Sequence, residues 1–99
     1  GLNPDEIAFY DALANNESAV RELGDETLKQ IAREITEKLR KSTTVDWQVR
    51  DSVRAQLKIL VRRTLQRWKY PPDKAAEAIE LVMKQAEQLS NAWTEKLLI

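Results

Sequence analysis

Any acid–base or metal chemistry in this chain would have to come from carboxylates, amines and hydroxyls, because it has neither histidine nor cysteine. That absence removes nearly all zinc, haem and iron–sulfur ligation. Carboxylates and lysines can still build the nuclease motif of an acidic residue, any residue, then lysine. The residues two places before the eight lysines are Thr27, Thr36, Leu39, Gln56, Arg67, Pro72, Val82 and Thr94, and none is acidic. Gly1 and Gly24 are the two glycines, too few for a loop that cradles phosphate. The acidic residues read as helix caps and i,i+4 partners, Glu34 with Lys38 and Glu80 with Lys84. The sequence therefore assigns no catalytic residue, no cofactor-binding residue and no metal ligand.

The informative pattern is instead a basic one. Val49, Val53, Leu57, Val61 and Leu65 recur every four residues, with Arg50, Arg54, Lys58 and Arg62 one place behind the first four. At about 100° per residue, each cation stands roughly a quarter-turn from its apolar neighbour, so the charge flanks a seam that faces the core. Arg63 and Arg67 lie on the other side of that seam. Three roles suit such a flank: complementing acidic neighbouring helices, docking an acidic protein partner, or contacting a phosphate backbone through counterion release. Against the last, the chain carries no net charge, and no base-reading or stacking residues accompany the arginines.

The charge is unevenly placed. Residues 1–41 carry six basic and nine acidic side chains, residues 42–70 seven and two, and residues 71–99 three and five. One central basic element lies between two acidic ones. The length suits a single domain over residues 1–99, burying roughly 60–68% of the unfolded chain's surface. No apolar run approaches the ~20 residues of a membrane span, and no signal peptide is recognisable. A cytoplasmic protein is expected. The first residue is Gly1 and the single methionine is Met83, which points to a piece of a longer polypeptide.

The elements that position these residues are all helical. Asn3, Pro4 and Glu6 form a capping box with proline at the first helical position, and Leu2 with Ile7 suits a hydrophobic staple. Ile7, Tyr10, Leu13 and Ala14 are the expected inner face, ending at Asn15-Asn16. A short helix follows over about 17–23, closed by Gly24. Asp25 is expected to cap the next helix, which runs to about Lys41 with Leu28, Ile31, Ala32, Ile35 and Leu39 as its stripe. Thr43 with Asp46 resembles another capping box and opens the basic helix, which is expected to reach about Lys69, where Pro71-Pro72 stops it. Asp73 falls in the first turn of the last helix, whose stripe is Ile79, Val82, Met83, Ala86, Leu89 and Trp93, reaching Leu97. Short linkers favour antiparallel neighbours. The expected fold is all-α, a small bundle of four main helices plus one short helix. Trp47, Trp68 and Trp93 read as core residues. Trp93 sits in a dense apolar finish with Leu97, Leu98 and Ile99, which either packs back on the bundle or meets a partner.

Several stretches, in order, resemble the C-terminal region of the R (motor and endonuclease) subunit of type I restriction enzymes. They are Phe9-Tyr10-Asp11-Ala12-Leu13-Ala14, Glu22-Leu23-Gly24-Asp25-Glu26-Thr27-Leu28, Val45-Asp46-Trp47, Arg50-Asp51-Ser52-Val53-Arg54-Ala55 and Tyr70-Pro71-Pro72-Asp73. Together they span about residues 8–89; residues 90–99 match nothing in the pattern. The resemblance implies a parent subunit with a nuclease domain, two ATP-driven translocase domains, a helical domain and this C-terminal piece. That subunit would join two M subunits and one S subunit, which recognise and methylate DNA. ATP and Mg2+ are implied for the parent, S-adenosylmethionine for the methyltransferase partner, and no cofactor for this segment. A bacterial or archaeal cytoplasm is the implied setting. The family's catalytic residues correspond to no position here, so the expected role is attachment to the methyltransferase core, with DNA-backbone contact as the alternative. The expected contact residues are Arg50, Arg54, Lys58, Arg62, Arg63, Arg67 and Trp93.

Overall fold

Asn3 begins the fold as its neighbours require. Its side chain accepts from the Glu6 N–H at 2.8 Å, and the Glu6 carboxylate accepts from the Asn3 N–H at 3.0 Å. This reciprocal pair satisfies two backbone donors that a helix start would otherwise leave open. The computed structural model describes residues 2–42 and 51–98, with side chains at 2–41 and 54–89. Five helices follow one another there: α1 (Pro4–Ala14), α2 (Glu17–Leu23), α3 (Asp25–Ser42), α4 (Asp51–Arg67) and α5 (Pro72–Leu98). No strand occurs among the described residues. None of these helices is long and apolar enough to cross a membrane. The Thr43–Asp46 capping box, Trp47, Val49 and Arg50 lie outside the described residues, as do the side chains of Val53 and Trp93.

Gly24 serves two helices at once. Its N–H bonds the Val20 carbonyl at 3.0 Å and closes α2, while its own carbonyl accepts from the Leu28 N–H at 3.2 Å and opens α3. The turn needs φ +85°, a conformation glycine adopts without steric penalty. Asp25 is consequently the first residue of α3 and not its cap, and its carboxylate is free to bind Tyr10 and Lys29.

Four helices enclose the core. α1 and α4 each pack on both α3 and α5, and α2 rests against α1 and α3. The stripes of α3 and α5 are buried as their spacing predicts, Leu28 through Leu39 and Ile79 through Ala86, with Leu89 half-buried. Leu57, Val61 and Leu65 form the described part of the α4 seam, each 4% exposed or less. Arg54 meets Glu87 and Lys58 meets Glu80, so α4 and α5 run antiparallel. Tyr10 near the end of α1 reaches Asp25 at the start of α3, while Asn3 and Glu6 share a cleft with Arg33 and Arg40 further along α3. That pair is antiparallel too.

The inner face of α1 differs from expectation. Phe9, Ala12 and Leu13 are buried, Tyr10 and Ala14 are half-buried, and Ile7 is 45% exposed. Apolar residues run nearly all round this helix, so periodicity selects no face. Docking between α3 and α5 makes the selection.

The end of α4 also differs. The helix stops at Arg67, two residues short of Lys69, because Lys69 turns into the left-handed region at φ 60°. The Tyr70 N–H then bonds the Leu65 carbonyl at 2.9 Å and the Lys69 N–H bonds the Gln66 carbonyl at 3.1 Å, the two bonds of a Schellman motif. The prolines follow a stop already made. Tyr70 is 3% exposed, and its hydroxyl donates to the Leu13 carbonyl at 2.7 Å, across 57 positions of sequence.

Two outcomes follow from this corner. Replacing Lys69→Gly removes the Cβ that makes a left-handed backbone costly and is expected to raise stability by about 0.5–1 kcal/mol, read as a higher urea midpoint. Tyr70→Phe leaves the buried Leu13 carbonyl without its donor and is expected to cost about 1–2 kcal/mol in the same measurement.

Candidate functional site

The basic flank of α4 divides between two neighbours. On the α5 side, Arg54 lies 3.7 Å from Glu87 and Lys58 lies 2.6 Å from Glu80. The Lys58 hydrogen bond holds the Glu80 carboxyl below its ordinary range. Glu80 thus pairs across the helix interface and not with Lys84 as spacing suggested. These groups are about half exposed, so each pair is worth about 0–1 kcal/mol at most. On the α3 side, Arg67 bonds Glu34. Arg62 and Arg63 are exposed and take no carboxylate partner among the described residues. Of the seven contact residues expected from sequence, three are committed to neighbouring helices and two meet no carboxylate among the described residues. Arg50 and the Trp93 side chain fall outside the described residues.

Glu34 is the junction between α3 and α4. One carboxylate oxygen receives Lys38 at 3.3 Å, the Trp68 indole N–H at 3.4 Å and the Arg67 guanidinium. Burial pushes this carboxyl up, but Lys38, the Trp68 N–H and Arg67 together hold it below the ordinary 4.5. Trp68 is half-buried and packs against the core, its polar edge facing this carboxylate. The i,i+4 pairing of Glu34 with Lys38 stands as the spacing predicts, with two further donors added by Arg67 at the end of α4 and Trp68 just after it.

Beside this junction an open groove of about 730 Å³ runs between α3 and α4. Ile59 and Leu60 form its apolar floor, and Lys38, Lys41, Arg63 and Arg67 supply its cations. Ile59 is 46% exposed, unusual for its size. Among the described residues, no group of three or more His, Cys, Asp or Glu is placed to hold a metal ion. The chemistry available at the groove is therefore recognition: apolar contact below, positive charge above. Sequence reading passed over Lys38, Lys41, Ile59 and Leu60. One signal was legible, since Ile59 falls midway between Leu57 and Val61 and so off the four-residue seam.

Over residues 1–92 the sequence matches the family described as type I restriction enzyme HindI endonuclease subunit-like, C-terminal. The chain belongs to this family. It is also 54% identical, over 94 residues, to the type I restriction enzyme HindI endonuclease subunit of Haemophilus influenzae (strain ATCC 51907 / DSM 11121 / KW20 / Rd). That match covers 95% of this chain and 9% of the relative's length. No solved structure matches. As a type I restriction enzyme C-terminal domain, the chain is the kind of segment that its ordered motifs, from Phe9 to Asp73, indicated.

The depressed Glu34 carboxyl has a pH signature. A folded-state pKa below the unfolded value gives stability that is fully present above about pH 4.5 and is lost as pH falls through the folded pKa. Glu34→Gln is expected to lower the urea midpoint at pH 7, and the difference from the parent should shrink steadily below pH 4.5. A difference that stays constant from pH 7 to pH 3 would show that this carboxylate is not held in its charged form.

Proposed function

We propose that this domain is a non-catalytic assembly module of a type I restriction enzyme, docking the restriction subunit onto the methyltransferase core of two M subunits and one S subunit. The observation that carries this reading is the groove between α3 and α4, an exposed apolar floor beside positive charge that Glu34 and Glu37 balance only in part among the described residues, on a domain of the restriction subunit's C-terminal family. Docking of this kind needs an apolar anchor for affinity and charge for orientation and encounter rate. Ile59 and Leu60 suit the first role, and Arg63 the second. ATP-driven DNA translocation and Mg2+-dependent cleavage would belong to the rest of the polypeptide, of which a segment this size is about a tenth. S-adenosylmethionine would bind the methyltransferase partner, and the bacterial cytoplasm is the setting that such an enzyme requires.

Arg62 and Arg63 also favour a second reading, contact with the DNA backbone along the translocation path. Two cations without a carboxylate among the described residues would release about two counterions, so duplex affinity would fall with salt at a log–log slope close to −2. The assembly reading expects immobilised domain to retain purified cognate methyltransferase core at moderate salt, with duplex DNA retained weakly or not at all. Failure to retain the core, together with retention of duplex at that slope, would replace the first reading with the second.

A further inference from the structure

We propose that the groove between α3 and α4 receives an acidic amphipathic helix presented by the methyltransferase core. This inference rests on the assembly reading and specifies the chemistry of the contact. Three features of the groove select the occupant. First, its floor is apolar: Ile59 is 46% exposed and Leu60 lies half-buried beside it, so the occupant must offer apolar side chains. A volume of about 730 Å³ accommodates several of them.

Second, the walls are positive. Lys38, Lys41, Arg63 and Arg67 face the groove, and the carboxylates Glu34 and Glu37 answer three of them. Among the described residues, four cations against two carboxylates leave a surplus of two positive charges, with Arg63 exposed and unpaired. Carboxylates flanking the occupant's apolar residues would meet that surplus.

Third, both walls are helices, which bond their own backbone groups internally and offer an occupant side chains alone. A segment docking there must satisfy its own backbone, as a helix does. Apolar residues spaced at three, four and seven would then seat on the floor, the pattern of helix-in-groove recognition. Duplex DNA fits this groove poorly, since an apolar floor gains nothing from phosphate.

The chain has no cysteine, so a single introduced thiol is a unique attachment point. Ile59→Cys carrying a photo-crosslinker is to be irradiated with the purified cognate methyltransferase core, and the joined peptide sequenced by mass spectrometry. Val20→Cys, exposed on α2 away from the groove, is the control. The expected product joins Ile59→Cys, and not the control, to a core segment with apolar residues at helical spacing and carboxylates between them. Ile59→Glu and Arg63→Glu, checked for unchanged helicity by circular dichroism, are each expected to weaken core binding at least tenfold. Core binding that is retained by both variants, or crosslinks to a non-acidic segment, to a second copy, to residues of the restriction polypeptide itself or to DNA, would overturn the groove proposal and leave the assembly reading standing. Absence of any core binding by the parent chain would overturn both.

Discussion

Tyr70 is the residue on which the rest of the arrangement hangs. Its backbone N–H closes α4 by bonding Leu65, and its hydroxyl closes α1 by bonding Leu13, so one residue terminates two helices that are far apart in sequence. Burial pushes the phenol up from its ordinary range, and it stays a neutral donor throughout the physiological range. Because Tyr70 is held on both sides, the chain must reverse at Pro71-Pro72 and send α5 back along α4. That reversal brings Glu80 and Glu87 opposite Lys58 and Arg54, and it leaves α1 a slot between α3 and α5. The corner is built from hydrogen bonds, but the buried ring and the leucine and valine seams supply the driving force that holds it shut.

Charge plays the opposite part. A chain with as many acids as bases distributes them so that Arg54, Lys58 and Arg67 each meet a carboxylate on a neighbouring helix. Exposed pairs of this kind contribute little stability, but they decide which positive charges remain available. Among the described residues what remains is Arg63, in the groove next to the exposed Ile59, and Arg62, in the cleft between α4 and α5. An apolar floor with charge at its rim is the composition of a surface made to be covered.

Much of this architecture was legible beforehand because it is local. The Asn3–Glu6 box, the Gly24 break, the stripes of α3 and α5 and the seam at Leu57, Val61 and Leu65 all follow from residue types within a turn or two of each other. The differences are equally systematic. Spacing puts Ile7 inside because α1 is apolar almost all round. Asp25 has a side chain that suits a cap, but Gly24 already holds that position. Spacing extends α4 to Lys69 because nothing in a lysine announces a left-handed turn. The burial of Tyr70 beneath it makes that conformation worthwhile.

By itself, the sequence determined the helical class, the number of helices, the absence of histidine and cysteine chemistry, and the family, through ordered motifs that spacing alone carries. Only the tertiary structure decided which cations are spent. Helical periodicity places Arg54, Lys58, Arg62, Arg63 and Arg67 on two sides of one seam, but whether each meets a carboxylate depends on which helix lies alongside and in what register. Register is set by the Tyr70 corner and by side-chain packing between residues distant in sequence. No reading of local spacing contains that information, which is why the groove at Ile59 came into view only once α3 and α4 were seen side by side.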